Sequence, residues 1–322
     1  MKRVAWVLGG GGRVGHALAR QLPSDGMDLY RHDRPFRWSD ASAMDLHFQA
    51  AAAEFAERTR AADTWEIYWS AGVGHMVSTA EWMRTEEQLL ESLLNRLAEC
   101  RSLLDARGRF VFVSSAGAIY DGSADTIIDE HSPIAPTSEY AHSKLRQEAL
   151  VERSTLARAG NQVLLARAST LYGPAPETSS RRGLITDIAR RMLRHQPISI
   201  YVPFDAVRDF LDVDDAARVI IATLRANPDG LPVRRKIIAS EYPATVADVL
   251  GVFARLARRR LPVVAGARSS TSLYSHRYRF RTVVAPESQR LIRYTLATGI
   301  ARLLAWEHTR MARTPVGRED GA

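Results

Sequence analysis

The stretch RVAWVLGGGGRVGHALA, residues 3–19, decides the fold class of this chain. Its first part is a short apolar run that predicts a buried β-strand at 3–9, and its last part opens a helical pattern at 13–22. Between them, glycines recur at three-residue intervals, as a tight turn, a close approach to a pyrophosphate and a close helix–strand contact each require. These glycines are Gly9, Gly12 and Gly15. The sequence therefore predicts a dinucleotide-binding turn.

An acidic residue at the end of the next predicted strand, residues 28–33, supports this prediction. Asp33 stands where a carboxylate can accept hydrogen bonds from an adenosine ribose. Arg34 follows it, and Arg13 lies in the glycine turn beside Val14, which we also expect to contact the cofactor. Either arginine could pair with a 2′-phosphate. The carboxylate favours NAD and the arginines favour NADP, and we expect NAD.

The first half of the chain continues to alternate strands with helices. Further strands are predicted at 64–72, 109–115 and 161–169, and helices at 47–62, 84–107 and 138–160. This alternation predicts an α/β fold with a doubly wound parallel sheet of the Rossmann type. The ligand of such a sheet binds beyond the carboxyl ends of the strands, where the strand order reverses.

The regular alternation of predicted strands and helices ends after residue 172, where Pro174 and Pro176 interrupt regular structure. Later elements are predicted at 183–195 (helix), 197–204 (strand), 213–226 (helix) and 246–260 (helix). We therefore predict two domains and a tail. They are a dinucleotide-binding domain at 1–172 and 206–229, a smaller C-terminal substrate-binding lobe at 173–205 and 230–309, and a disordered tail at 310–322.

The composition narrows the range of partners. The net charge is +8, but the arginines are spread along the chain between alanine and leucine, so we expect solvated helix faces and no nucleic-acid partner. The single cysteine, Cys100, excludes an internal disulfide and a cysteine-rich metal site, and it fits a cytoplasmic protein without a metal. No apolar stretch is long enough to cross a bilayer, so we expect no membrane partner.

A tyrosine and a lysine carry the candidate chemistry. In the helix predicted at 138–160, Tyr140 and Lys144 are four residues apart and share one face. A phenol has a pKa near 10 in water, and an adjacent ammonium lowers the pKa of a phenol toward the range of a useful base. Ser115, at the end of the strand 109–115, can hold the substrate oxygen through its hydroxyl. We therefore predict a Ser-Tyr-Lys site in which the lysine also binds the cofactor ribose.

Five stretches resemble the signatures of one enzyme family. They are GGGGRVG (9–15), FVFVSSAGAIY (110–120), PTSEYAHSK (136–144), ARASTLYGP (166–174) and VRDFLDVDDAA (207–217). The chain is similar in these stretches to the extended short-chain dehydrogenases/reductases of the NAD-dependent epimerase/dehydratase family, typified by the UDP-glucose 4-epimerases. The resemblance implies a Rossmann-like domain, a small lobe that clamps a nucleotide-sugar, and hydride transfer at a sugar carbon.

The resemblance also implies roles for single residues. It makes Tyr140 the acid/base and Lys144 its partner. The other residues that it singles out are Asp45 with Leu46 near the adenine, Ala71 in the turn that passes the cofactor, Arg182 and Arg208 at the substrate diphosphate, and Asn95 behind the tyrosine helix. The family often has its catalytic Ser or Thr where this chain has Ala116, so Ser115 is our candidate and Ser114 the alternative.

The reaction stays open between two types. Ala116 and Gly117 stand where a 4,6-dehydratase of this family carries an acid pair, which argues against dehydration. A 4-epimerase and a 4-keto reductase fit equally, because Tyr140 serves as base in oxidation and as acid in reduction. A sensor that binds NAD(P) without turnover is the alternative from another class. The resemblance further predicts a homodimer that forms through helices at 84–107 and 138–157.

Overall fold

The computed structural model describes residues 2–33, 36, 38, 40–72, 74–76, 78–105, 107–176, 183–227, 230–266 and 279–313. The strands are β1 (Arg3–Leu8), β2 (Asp28–Tyr30), β3 (Thr64–Trp69), β4 (Gly108–Ser115), β5 (Ile127–Ile128), β6 (Gln162–Ala168), β7 (Thr170–Tyr172), β8 (Ile198–Ile200), β9 (Val207–Asp212), β10 (Val233–Ile238), β11 (Pro243–Thr245), β12 (Val263–Ala265) and β13 (Arg279–Phe280). The α-helices are α1 (Arg13–Gln21), α2 (Ala41–Thr59), α3 (Ala80–Glu99), α4 (Ala116–Ile119), α5 (Glu139–Glu152), α6 (Thr155–Arg158), α7 (Leu184–Leu193), α8 (Val213–Arg225), α9 (Val246–Ala257) and α10 (Leu296–Arg313).

A parallel sheet of six strands forms the centre of the molecule, in the order β10-β6-β4-β3-β1-β2. From β1 the chain proceeds to β2 on one side and then to β3 on the other, so the strand order reverses between β1 and β3. Ligands of doubly wound sheets bind beyond the carboxyl ends of the strands at such a point. The predicted doubly wound parallel sheet is therefore confirmed.

Helices cover both faces of this sheet because its strands are apolar on both sides. Successive side chains of a strand point to opposite faces. Trp6, Trp65 and Phe110 belong to the core under α2 and α3, whereas Tyr68 and Val111 belong to the core under α1 and α8. All five are almost completely buried. The two cores hold the carboxyl ends of β1, β3 and β4 in fixed positions.

In the described residues, the smaller lobe contains two short sheets and three helices. β11, β9 and β7 form a three-stranded sheet, and β12 pairs with β8. Apolar side chains of α7, α9 and α10 pack together here, among them Ile188, Phe253 and Leu303, which are fully buried. The lobe therefore has an apolar core of its own.

The strand pairing and the last helix differ from the predicted domain ranges at β7, β9, β10 and α10. β10 lies within 230–309, but it pairs with β6 in the central sheet, because the crossover helix α8 returns the chain parallel to β6. β7 and β9 lie within 1–172 and 206–229, but β9 pairs both with β7 and with β11 in the three-stranded sheet of the lobe. The predicted tail at 310–322 begins with the last turn of α10, which continues to Arg313.

The helices around the site are shorter than predicted. The helix predicted at 138–160 is divided, because α5 ends at Glu152 and Ser154 then caps α6 through its side chain. α3 begins and ends earlier than the predicted 84–107. In the described parts of the chain, no helix is long and apolar enough to cross a membrane.

Candidate active site

The glycine turn between β1 and α1 is shaped by contacts that exclude side chains. Gly9 has a φ of +86°, and a Cβ there would lie 2.5 Å from the backbone nitrogen of Ala71. A Cβ on Gly15 would lie 2.3 Å from the carbonyl oxygen of Gly9. The N–H of Gly12 donates to that same oxygen at 2.9 Å and closes the turn. Any larger residue at Gly9 or Gly15 would therefore displace backbone.

The N-terminus of α1 opens onto a cleft. Gly12 is its N-cap residue, no side chain caps the helix, and its first turn carries no acidic residue. Gly9, Gly12, Arg13 and Val14 all line the cleft. Backbone N–H groups at such a helix end bind anions, and a pyrophosphate is the anion that a dinucleotide presents. The turn therefore fits the predicted cofactor.

The side chain of Arg13 points toward the lobe. Its Nη1 donates to the carbonyl oxygen of Leu171 at 3.1 Å, and its Nη2 donates to Thr186 Oγ1 at 3.2 Å. Leu171 belongs to β7 and Thr186 to α7. Arg13 thus connects the glycine turn to the smaller lobe, a contact that the sequence did not predict.

The glycine turn forms one wall of a cleft of about 910 Å³. The ends of β3, β4 and β6 form its floor, and α3 and α5 contribute further walls. Besides the turn, the lining includes Trp38, Trp69, Ala71, Thr79, Trp82, Thr85, Glu86, Leu89, Ser114, Ser115, Tyr140, Lys144 and Ser169. The fold therefore brings the predicted Ser, Tyr and Lys to the same cleft as the predicted dinucleotide turn.

Tyr140 and Lys144 lie in the first turns of α5, which Ser138 caps through its side chain. Lys144 Nζ lies 5.7 Å from the centroid of the Tyr140 ring and 5.3 Å from that of the Phe112 ring. It also donates to Gln147 Oε1 at 3.2 Å. Lys144 is buried and Tyr140 half-buried at the cleft, so the ammonium is held close to the phenol without being exposed to bulk water.

Two neighbouring serines at the end of β4 line the cleft. Ser115 is half-buried and is the N-cap residue of α4, but its hydroxyl makes no capping hydrogen bond. Ser114 is buried, and its Oγ has no hydrogen-bond partner among the described residues. By strand alternation, Ser114 shares the face of Phe112, over which Lys144 lies. Both hydroxyls are therefore placed to meet a ligand in the cleft.

Comparison with known proteins identifies the family. The model of the NAD dependent epimerase/dehydratase family matches residues 5–236, which is most of the 322-residue chain. The chain belongs to this family. The resemblance seen in the five sequence stretches is therefore confirmed, and the family's name supports NAD as the dinucleotide.

The similarity of the chain to individual proteins is either low in sequence identity or limited to part of the chain. The dTDP-L-rhamnose 4-epimerase of Burkholderia thailandensis is 31% identical over 132 residues, which are 37% of this chain and 36% of that protein. The dTDP-4-dehydro-6-deoxyglucose reductase of Escherichia coli is 22% identical over 231 residues, which are 68% and 71% of the two chains. The UDP-glucose 4-epimerase structure from Thermotoga maritima superposes with a TM-score of 0.74 at 17% identity, covering 97% of this chain and 100% of that one. The last similarity confirms the Rossmann-like fold.

Three residues that we predicted at the adenosine end of the cofactor do not line the cleft. Asp33 is exposed beyond the end of β2. Asp45 lies in α2 and binds Arg96 and Ser92 of α3, and these hydrogen bonds, from Arg96 first, hold the pKa of Asp45 below its usual range. Its neighbour Leu46 is 66% exposed. Asp45 therefore joins two helices instead of standing at the cleft.

Of the predicted arginine ligands, Arg13 lines the cleft and Arg208 does not. Arg208 is half-buried on β9, and its Nη1 donates to the carbonyl oxygen of Val207 at 2.8 Å. Arg34 and Arg182 lie outside the described residues. Their roles as cofactor and substrate ligands stay predictions.

The structure also adds residues that the sequence analysis missed. Trp38 and Trp69 line the cleft, with ring centroids 6.0 Å apart and planes nearly perpendicular. Trp69 ends β3, so its place at the carboxyl end of a strand was the available signal. Glu86 of α3 lies beside Lys144, at 3.6 Å between Oε2 and Nζ. Asn95, the residue predicted behind the tyrosine helix, is exposed on α3.

Proposed function

We propose that the protein is an NAD-dependent enzyme that transfers hydride at a sugar carbon of a nucleotide-sugar. The observation that carries this proposal is the shared cleft, which is lined by Tyr140, Lys144 and an uncapped helix N-terminus that suits a dinucleotide. The named relatives act on dTDP- or UDP-linked sugars, so these are the substrate classes to test first.

The proposed chemistry uses the residues of this chain to move one proton. Tyr140 takes the proton of a sugar hydroxyl when the carbon is oxidised and returns a proton when it is reduced. The ammonium of Lys144, near the phenol ring, stabilises the phenolate form of Tyr140 and donates to a cofactor ribose. When bound, NAD⁺ would accept the hydride on oxidation, and NADH would donate it on reduction. Ser115 donates a hydrogen bond to the reacting oxygen and holds it in place.

A 4-epimerase is the first candidate reaction and a 4-keto reductase the second. The epimerase is favoured by the 4-epimerase relative that shares 31% identity over its matched segment. The reductase is favoured by the relative whose match extends over 68% of this chain. Dehydration is disfavoured, because Ala116 and Gly117 follow Ser115 and provide no acid pair to remove and deliver a proton. Homodimerisation through α3 and α5 and a cytoplasmic location stay predictions.

The first experiment identifies the cofactor and the reaction. Purified protein is denatured, and any released nucleotide is identified by absorbance and mass. Bound NAD⁺ supports the epimerase, whereas an empty protein that binds and oxidises NADH or NADPH in the presence of a 4-keto sugar nucleotide supports the reductase. Tight NAD binding with no turnover of any UDP- or dTDP-sugar would contradict the proposal and favour a sensor.

Substitution of the tyrosine tests the mechanism. Tyr140→Phe removes the hydroxyl that carries the proton, and we expect the rate to fall by about 100- to 10,000-fold. Tyr242→Phe is the matched control, because Tyr242 is 82% exposed and lies outside the cleft. The same assay on Ser115→Ala and Ser114→Ala identifies the catalytic hydroxyl, which we expect to be Ser115. A Tyr140→Phe enzyme with the wild-type rate would contradict the mechanism.

A further inference from the structure

Glu86 connects the turn after β3 to Lys144. Its Oε1 accepts a hydrogen bond from the backbone N–H of Gly74 at 2.5 Å, and its Oε2 lies 3.6 Å from Lys144 Nζ. Glu86 is 7% exposed and lines the cleft. A buried carboxylate is costly unless it is paired and hydrogen-bonded. Here the N–H of Gly74 supplies the hydrogen bond to Oε1, and the ammonium of Lys144 supplies the opposite charge beside Oε2.

The turn after β3 is shaped around this carboxylate. Gly72 has a φ of +131°, and a Cβ there would lie 2.9 Å from Glu86 Oε2. A Cβ on Gly74 would lie 2.5 Å from Met83 Sδ, one turn before Glu86 on α3. The backbone therefore approaches Glu86 as closely as residues without side chains allow, which leaves little freedom for the carboxylate to move away from Lys144.

The charged side chains around Lys144 belong to α3, α5 and β6. Glu86 approaches from α3, and in the described part of the chain no other carboxylate pairs with Lys144. Glu148, one turn along α5, is occupied by Arg167 of β6 at 2.7 Å. Arg146 of α5 pairs on the outer surface with acidic residues of α3 and α5. Gln147 of α5 accepts a hydrogen bond from Lys144 Nζ at 3.2 Å but is neutral, so Glu86 is the charged group of another helix that contacts Lys144.

We propose that Glu86 is a positioning residue that holds Lys144 beside Tyr140 and offsets part of its positive charge. This inference rests on the proposed function for its effect on turnover, but its effect on cofactor binding does not. Before cofactor binds, the carboxylate keeps the ammonium at the place where it meets the ribose. During the reaction, the negative charge of Glu86 disfavours the phenolate form of Tyr140. The ion pair therefore reduces the stabilisation that the ammonium of Lys144 gives to this phenolate.

Three variants separate anchoring from charge. Glu86→Ala removes the carboxylate and both contacts. Glu86→Gln keeps an oxygen that can accept from the N–H of Gly74 but removes the charge. Glu91→Gln is the matched control, because Glu91 is exposed on the same helix. Melting curves by circular dichroism check each fold, and the nearly isosteric Glu86→Gln carries the test if Glu86→Ala does not fold.

Calorimetric titration with NAD⁺ measures the anchoring without any turnover. We expect Glu86→Ala to weaken NAD⁺ binding by about 10-fold, because Lys144 is no longer held in place. Glu86→Gln should weaken it by less than about 3-fold and Glu91→Gln should leave it unchanged. Wild-type affinity in both Glu86 variants would overturn the anchoring role.

The pH dependence of the rate measures the charge effect. With a nucleotide-sugar that the wild type turns over, Glu86→Gln should move the acidic half-maximum to lower pH by about 0.5 to 1 unit, because the phenolate loses a repelling charge. Glu91→Gln should not move it, and an unmoved profile in Glu86→Gln would overturn the charge effect. If the wild type turns over no nucleotide-sugar, the proposed function fails, while the NAD⁺ affinities still decide whether Glu86 positions Lys144.

Discussion

Lys236 offers a test of how burial of a charge governs the pH dependence of stability. Its side chain on β10 is fully buried, and its Nζ donates to Thr282 Oγ1 at 3.0 Å and to the carbonyl oxygens of Val284 at 2.6 Å and Ala285 at 3.3 Å. Burial lowers the pKa of Lys236 from 10.5 to about 8, against an opposing effect of Glu130. The folded protein therefore releases this proton at a lower pH than the unfolded chain.

The sign and size of the effect follow from this difference. Between about pH 8 and 10.5 the unfolded chain binds more protons than the folded protein, so the Lys236 contribution to the free energy of unfolding rises with pH. Below pH 8 the burial penalty is fully present, and above 10.5 it is lost. The whole span corresponds to about 3.4 kcal/mol. About 2 kcal/mol of it falls between about pH 7 and about pH 9.5.

Urea denaturation of the wild type and of Lys236→Met at these two pH values isolates the contribution. Other groups titrate equally in both proteins, so the difference in unfolding free energy, wild type minus variant, should increase by about 2 kcal/mol toward the higher pH. Arg235→Met is the matched control, because Arg235 is the exposed neighbour on the same strand and its difference should stay constant. A wild-type minus Lys236→Met difference that is equal at both pH values would refute the reasoning.

Two further predictions concern close contacts of glycine. Gly15→Ala should lower NAD⁺ affinity at least about 10-fold by calorimetry, because its Cβ would displace the glycine turn, whereas Gly10→Ala, with nothing within 4 Å of its Cβ, should bind as the wild type does. Gly299→Ala should destabilise the protein by about 1–3 kcal/mol in urea, since its Cβ would lie 2.1 Å from Tyr172 Oη. Gly251→Ala in α9 meets open space and should instead stabilise by about 0.5–1 kcal/mol, and equal effects of the two would contradict the packing argument.

Local spacing explains what could be predicted of the site. Whether a segment turns at glycine or places Tyr140 and Lys144 on one helix face depends on a few neighbouring residues, so the pattern alone suffices. The same holds for the alternation of strands and helices that predicts a parallel sheet. The domain boundaries were harder to predict. β10 belongs to the central sheet because it pairs with β6, and its own residues do not reveal this pairing.

The amino-acid sequence by itself determined the dinucleotide turn, the Tyr140–Lys144 spacing and the family. Only the tertiary structure decided that Asp45 binds Arg96 instead of reaching the cleft, that Arg13 binds the lobe and that Glu86 stands beside Lys144. The physical reason is that these contacts join residues that are far apart in the sequence. A hydrogen bond or ion pair between two helices depends on how those helices dock, and docking is set by the apolar cores on both faces of the sheet, which no local pattern contains.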